Sequence, residues 1–135
     1  MTQSIETAGS VTGSLKMLLR LEGLAVFSVA LMAYGYFGSS WKAFFILFLF
    51  PDISFLGYFF GKKVGAFSYN TLHSYILPLI FGALSWRYEP NLFYIALIWV
   101  AHIGFDRCLG YGLKYTKGFG YTHLGVIKMG GKNKG

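Results

Sequence analysis

The chain has 135 residues, of which 55% are hydrophobic and 13% charged, and its mean hydropathy is +0.52. Soluble domains carry about 25% charged residues, so this composition excludes an ordinary water-soluble protein and favours a single membrane-embedded domain. The formal net charge is +7, but no basic face of a soluble domain is visible, and nucleic acid is not expected as a partner.

Four apolar segments are each long enough to cross a ~30 Å hydrocarbon core, which takes about 20 helical residues. In chain order, the predicted spans are residues 15–37, 41–60, 64–86 and 91–113. Pro51 is expected to kink or break the second of them. A flexible cytoplasmic tail, residues 1–14, precedes the spans, and a basic cytoplasmic tail, residues 114–135, follows them. The predicted fold is all-α, a polytopic bundle of four transmembrane helices.

The Lys and Arg residues near the span ends are divided unequally between the two sides of the predicted bundle. One side has only Lys42 and Arg87, and the other has Lys16, Arg20, Lys62, Lys63, Arg107, Lys114, Lys117, Lys128, Lys132 and Lys134. By the positive-inside rule, both termini are expected in the cytoplasm, in a multi-pass protein of the inner (plasma) membrane. The basic rim also predicts anionic lipid head groups as partners. The sequence does not decide whether the protein forms a homo-oligomer.

Polar residues of all four predicted spans lie at one depth. Counted from the cytoplasmic span ends, they are roughly 8–16 Å inside the boundary, at 1.5 Å per residue. They are Arg20, Glu22, Asp52, Asn70, His73, His102 and Asp106. A charge at such a depth costs about 2.5–3.5 kcal/mol, so these side chains are expected to face one another. The sequence therefore predicts one polar pocket that opens towards the cytoplasm.

Metal binding is the first hypothesis for that pocket. Two imidazoles and two carboxylates, a mixture that suits zinc or iron, come from Asp52, His73, His102 and Asp106. The last two are spaced i,i+4 and share one helix face. Glu22 is a candidate fifth ligand or general base, and the tail residue His123 could fold back to the pocket.

Two other hypotheses need no enzyme. Chains of Asp, Glu and His also mark proton or ion relays in membrane proteins, as part of a small transport component. The third hypothesis is a structural or assembly factor, in which Arg20 and Arg107 neutralise the buried carboxylates as ion pairs.

The fourth predicted helix carries a recognisable stretch, residues 101–115, with the sequence AHIGFDRCLGYGLKY. It resembles the signature of a family of small bacterial integral membrane proteins of unknown function. Parts of the same pattern occur in residues 19–23, 51–58, 69–73 and 122–125. The resemblance covers nearly all of residues 18–125 and implies membership of that family without implying an activity.

Three short motifs are also similar, more distantly, to those of membrane-bound metal-dependent hydrolases. They are Pro51-Asp52, His73-Ser74 and His102-x-x-x-Asp106. The similarity implies that the Asp and His residues of these motifs hold a metal. The chain departs from that group at Ser54 and Phe55, where the group tends to have a second Asp and a His.

Taken together, the pocket and the similarity imply a metal-dependent hydrolase that acts on a lipid-derived or phosphate-bearing substrate from the cytoplasmic leaflet. In that scheme, a divalent metal makes a bound water nucleophilic near neutral pH. Glu22 serves as the proton acceptor. Arg20 or Arg107 holds an anionic group of the substrate.

Overall fold

The computed structural model describes residues 13–37, 40–114 and 121–126, and within them the fold is all-α. The α-helices are α1 (Gly13–Tyr36), α2 (Trp41–Leu47), α3 (Lys62–His73), α4 (Ile76–Tyr88) and α5 (Phe93–Leu109). A 3-10 helix, Phe50–Phe60, joins α2 to α3, and a shorter one, Pro90–Leu92, leads into α5. Strand β1 (Tyr121–Thr122) pairs antiparallel with β2 (Gly125–Val126) in a small hairpin.

Three helical stretches are long and apolar enough to cross a membrane. They are Gly13–Tyr36, Trp41–Phe60 and Pro90–Leu109, and they correspond to the first, second and fourth predicted spans. Large apolar side chains such as Met32 and Phe59 are highly exposed on the outside of the fold, as is typical of a surface that faces lipid. The cytoplasmic location of both termini stays a prediction.

The third predicted span is not one continuous helix. Helix α3 ends at His73, Ser74 is extended with φ −95° and ψ 156°, and α4 begins at Ile76. Pro78 explains the break, because a proline inside a helix clashes with the carbonyl four residues earlier, here that of Ser74, but is tolerated in the first turn. The prediction of an unbroken helix over residues 64–86 is therefore wrong, and a fourth span stays a prediction.

The last helix ends four residues before its predicted boundary. Gly110 follows Leu109 in the left-handed region, with φ 93°, where glycine carries no steric penalty. The N–H of Gly110 donates to Arg107 O at 3.0 Å, and the N–H of Tyr111 donates to Asp106 O at 2.8 Å. These bonds satisfy carbonyls at the helix end and terminate α5.

Helices α1 and α5 cross at two glycines. A Cβ atom on Gly23 would lie 2.5 Å from Arg107 Cβ and 2.7 Å from Cys108 N, and one on Gly104 would lie 2.8 Å from Phe27 N. Only hydrogen atoms fit in these positions, so the backbones approach closely. The crossing fixes α1 on one side of α5 and leaves another side of α5 for α3 and the 3-10 helix.

Candidate metal centre

Pro51 shapes the backbone that carries Asp52. Because proline has no N–H and its ring clashes with the preceding turn, the α-helical pattern cannot continue through it. The chain tightens into a 3-10 helix of 11 residues, and Asp52 N donates to Leu49 O at 3.1 Å. An α-helical Asp52 would have bonded to Phe48 O, so that carbonyl is free for another donor. Such long 3-10 helices are uncommon and often mark functional positions.

His102 uses the carbonyl that the helix break releases. Its Nδ1 lies 2.6 Å from Phe48 O, and the Nδ1 of His73 lies 2.9 Å from Tyr69 O, one turn earlier in α3. A carbonyl oxygen can only accept, so both Nδ1 atoms carry the proton. In the neutral imidazoles, each Nε2 therefore presents a lone pair.

The two Nε2 atoms meet two carboxylate oxygens. His102 Nε2 lies 3.3 Å from Asp52 Oδ1 and 3.3 Å from Asp106 Oδ2. His73 Nε2 lies 3.3 Å and 3.6 Å from the same oxygens, and the two Nε2 atoms are 3.2 Å apart. All four atoms lie within 4.8 Å of one another. The structure thus brings together the four residues that the sequence selected as metal ligands, and this cluster could hold a metal ion.

The distances between these four atoms distinguish direct ion pairs from a bound metal ion. Charge-assisted N–H···O hydrogen bonds are about 2.7–2.9 Å long, shorter than the N···O distances of 3.3–3.6 Å in the cluster. Ligands around a tetrahedral zinc, each about 2.0–2.1 Å from the ion, are roughly 3.3–3.4 Å apart. Five of the six separations are close to those of a tetrahedral site with two nitrogen and two oxygen ligands, and the sixth, between the two carboxylate oxygens, is within 4.8 Å.

The cluster is buried on its histidine side and open at one carboxylate. The side chain of His73 is 0% exposed, whereas that of Asp52 is 36% exposed. Asp106 is intermediate, with 16% of its side chain exposed. The cluster is therefore accessible from outside the fold beside Asp52.

Lys114 and Tyr69 support the His73 side of the cluster, and sequence reasoning missed both. The Tyr69 ring stacks on His73 with centroids 3.8 Å apart, and Lys114 Nζ lies 4.6 Å from the centroid of the Tyr69 ring. Asn70 holds the Lys114 backbone with bonds of 2.8 and 2.6 Å. Burial lowers the pKa of Lys114 to about 8, although the Asp106 carboxylate opposes the shift. The i,i+4 spacing to His73 could have identified Tyr69, whereas Lys114 reaches this position only through the tertiary fold.

Both intramembrane arginines bond to backbone carbonyls. Arg107 Nη2 donates to His73 O at 2.9 Å and Nη1 donates to Tyr111 O at 3.2 Å, whereas Arg20 Nε donates to Cys108 O at 2.8 Å. Within residues 13–37, 40–114 and 121–126, no carboxylate forms an ion pair with either arginine. The arginine–carboxylate pairing expected for a structural cluster is therefore not found in this part of the chain.

Glu22 and His123 lie in a second polar pocket and not among the converging atoms. Together with Arg107 and Tyr75 they line a cavity of about 160 Å³, which we call the Arg107 pocket. His123 does fold back from the tail, and its Nδ1 accepts from Leu113 N at 2.8 Å. Burial and the nearby Arg107 cation lower the pKa of His123.

Comparison with known proteins identifies the family of the chain without assigning an activity. No curated protein and no solved structure matches it, so the similarity to membrane-bound hydrolases stays a prediction. A family model described as a domain of unknown function (DUF4260) matches residues 16–127. That range includes all four residues of the cluster and agrees with the resemblance to an uncharacterised family. The chain belongs to the DUF4260 family.

Proposed function

We propose that the protein is a membrane-bound metal-dependent hydrolase whose divalent transition metal, zinc or iron, is held by Asp52, His73, His102 and Asp106. One observation carries the proposal. Two imidazole nitrogens converge with two carboxylate oxygens, and the five separations that involve a nitrogen are 3.2–3.6 Å, close to the edges of a tetrahedral coordination shell.

The charge of the cluster also supports a divalent ion. With both imidazoles neutral, Asp52 and Asp106 leave two negative charges on groups that are partly or largely buried. Negative charge in such surroundings is costly, and a divalent cation held by both carboxylates would offset it. Metal-bound histidines usually donate their other ring N–H to a carbonyl or carboxylate, as His73 and His102 do here. Imidazole and carboxylate together suit zinc or iron.

Hydrolysis is supported by the access to the cluster and by the cations near it. A divalent metal lowers the pKa of a bound water to about 7 and so supplies a nucleophile at neutral pH. Asp52 marks the side from which water and substrate enter, because its side chain is the most exposed of the four. Lys114 and Arg107 are both buried beside the cluster, and their charges suit a lipid-derived or phosphate-bearing substrate. Glu22 remains the proposed proton acceptor, although it lines the Arg107 pocket.

The alternative is a non-enzymatic protein, a proton relay or transport component or a structural factor, in which protons replace the metal. Each Nε2–H would then donate to a carboxylate. The 3.3–3.6 Å separations are long for such charged pairs, which favours the metal.

Elemental analysis of the detergent-purified protein, loaded with zinc or iron(II) and then desalted, tests the metal site. We expect about one equivalent of metal per chain, and below about a tenth after His102→Ala, because each ligand contributes to the binding free energy. His123→Ala is the matched control, since it removes a histidine outside the cluster, and it should keep the full stoichiometry. A wild-type chain that retains no metal, or an unchanged His102→Ala variant, would refute the site.

The hydrolase part of the proposal needs a separate measurement. Phosphate monoesters and diesters with acyl chains should be cleaved by the metal-loaded protein in detergent, and the rate should fall to background after His102→Ala. Metal binding without cleavage of any of these substrates would leave a metal site and reject the hydrolase.

A further inference from the structure

The Arg107 pocket contains a buried cation that forms no ion pair with a carboxylate of residues 13–37, 40–114 and 121–126. Arg107 is only 8% exposed, and within those residues its two hydrogen bonds go to the carbonyls of His73 and Tyr111. Neutral carbonyls do not neutralise the guanidinium, and of its five N–H donors these bonds use two. A buried charge without a direct anionic contact is costly, so the pocket is suited to an anionic group from outside the chain.

An apolar groove adjoins this pocket. Val26 of α1 lines both the Arg107 pocket and a cavity of about 380 Å³ between α1, α4 and α5. That cavity shares Leu79, Leu97 and Val100 with a further cavity of about 520 Å³, which extends to Phe37. From Glu22 to Phe37, α1 rises by roughly 22 Å, at 1.5 Å per residue, which exceeds the ~15 Å of hydrocarbon in one leaflet.

We propose that these three adjoining cavities bind one membrane phospholipid with an amine in its headgroup. The phosphate lies at Arg107 and the amine at Glu22, and an acyl chain follows the groove between α1, α4 and α5. The headgroup class comes from the charges of the pocket: a phosphate and an ammonium a few atoms apart complement one cation and one carboxylate. The apolar walls of the groove exclude a free phosphate compound as the natural occupant, because it would leave them empty.

This lipid site is separate from the metal cluster. The four residues of the cluster do not line the Arg107 pocket, and Glu22 does not belong to the cluster. Lipid binding is therefore expected to survive the loss of the metal, so a variant of a metal ligand separates the two proposals, although both assign a role to Arg107 and Glu22.

The test is native mass spectrometry of the full chain from nanodiscs that contain equal amounts of phosphatidylethanolamine, phosphatidylglycerol and phosphatidylcholine with identical acyl chains. We expect one retained phosphatidylethanolamine per chain, with roughly tenfold lower retention of the other two, as the loss of a charged hydrogen bond implies. Glu22→Gln should abolish the preference over phosphatidylglycerol. Equal retention of all three lipids by the wild type would overturn the proposal.

A second pair of variants tests the groove. Ala33→Phe fills the cavity that Ala33 lines and should lower lipid retention roughly tenfold, since it displaces a large part of the buried acyl chain. Met32→Phe, at an adjacent residue that is 75% exposed and does not line the groove, should leave retention unchanged. His102→Ala should also retain the lipid. Unchanged retention in Ala33→Phe would overturn the placement of the acyl chain in the groove. Unchanged retention together with a change in oligomeric state would show that a second copy of the chain occupies the groove.

Discussion

The cluster and the Arg107 pocket lie on neighbouring sides of α5. They accommodate buried polar groups in opposite ways. In the cluster, the four side-chain atoms lie within 4.8 Å of one another and could hold an ion. In the pocket, Arg107 and Glu22 line about 160 Å³ of space, enough for a molecular group. Two adjacent residues of α5 belong to different sites: Asp106 to the cluster and Arg107 to the pocket. The difference teaches that a common depth in the membrane does not imply a common ligand.

Gly23→Ala should break the pocket and spare the cluster. The added Cβ would meet Arg107 Cβ at 2.5 Å and Cys108 N at 2.7 Å, so α1 must move away from α5. Overpacking of this kind costs about 1–3 kcal/mol, and we expect a lower melting temperature in detergent together with loss of the retained lipid. Metal stoichiometry should persist, since α1 supplies no ligand. Gly35→Ala is the control, because its Cβ would have its nearest contact at 3.7 Å; equal melting of the two variants would contradict the close crossing.

Pro51→Ala should break the cluster and spare the pocket. An alanine restores a backbone N–H, so the α-helical pattern can continue and recapture the carbonyl of Phe48, which His102 Nδ1 uses. Loss of such a supporting bond typically lowers metal affinity by about 10–100-fold, which competition with a chromophoric chelator can measure. Pro90→Ala, at the start of the short 3-10 helix before α5, should leave affinity unchanged. Identical affinities for both variants would argue against the role of the helix break.

Asn70→Ala should loosen the Lys114 side of the cluster. The substitution removes bonds of 2.8 and 2.6 Å to the Lys114 backbone, and two hydrogen bonds contribute about 1–3 kcal/mol to the free energy of unfolding. We expect a lower melting temperature and faster proteolysis after α5, with metal stoichiometry intact. Asn91→Ala, at an exposed residue, provides the comparison and should behave as wild type.

Acidification should release the hairpin from the Arg107 pocket, the smallest of the four effects. His123 Nδ1 must be unprotonated to accept from Leu113 N, and burial lowers its pKa in the folded chain. The unfolded chain therefore binds more protons, so the contribution is present above a pH of about 6.5 and is lost as the pH falls below it. Proteolysis of the tail should accelerate between pH 7.5 and 5.5 in the wild type. His123→Ala, which cannot titrate there, should show no such pH dependence.

The ligand cluster could be predicted because buried charge has few permitted positions. Carboxylates and imidazoles inside apolar helices are expected to face one another. Among the seven polar residues at one depth, the chemistry of metal ligands then selects Asp52, His73, His102 and Asp106. The prediction failed to separate Glu22 from them. Depth gives the height of a residue along the membrane normal but not its direction around the bundle, and the direction depends on the Gly23–Gly104 crossing.

The helix boundaries were predictable where a proline or glycine interrupts an apolar run. The break at Pro51 was expected. Pro78 lies in the first turn of α4 and Gly110 follows the last residue of α5, although the apolar runs around both residues suggested longer helices. The positions of Lys114 and His123 were not predictable, because long-range contacts with Asn70 and Leu113 set them.

The bond between Phe48 and His102 links positions that are 54 residues apart, and it constrains how the sequence can change. The Phe48 carbonyl, which the break at Pro51 releases, holds the proton on Nδ1 of His102 and leaves Nε2 towards the carboxylates. A related chain that kept the aspartate but replaced the proline with a helix former would keep every ligand and lose this acceptor. We therefore expect related chains to keep or replace three residues together: Pro51, Asp52 and His102.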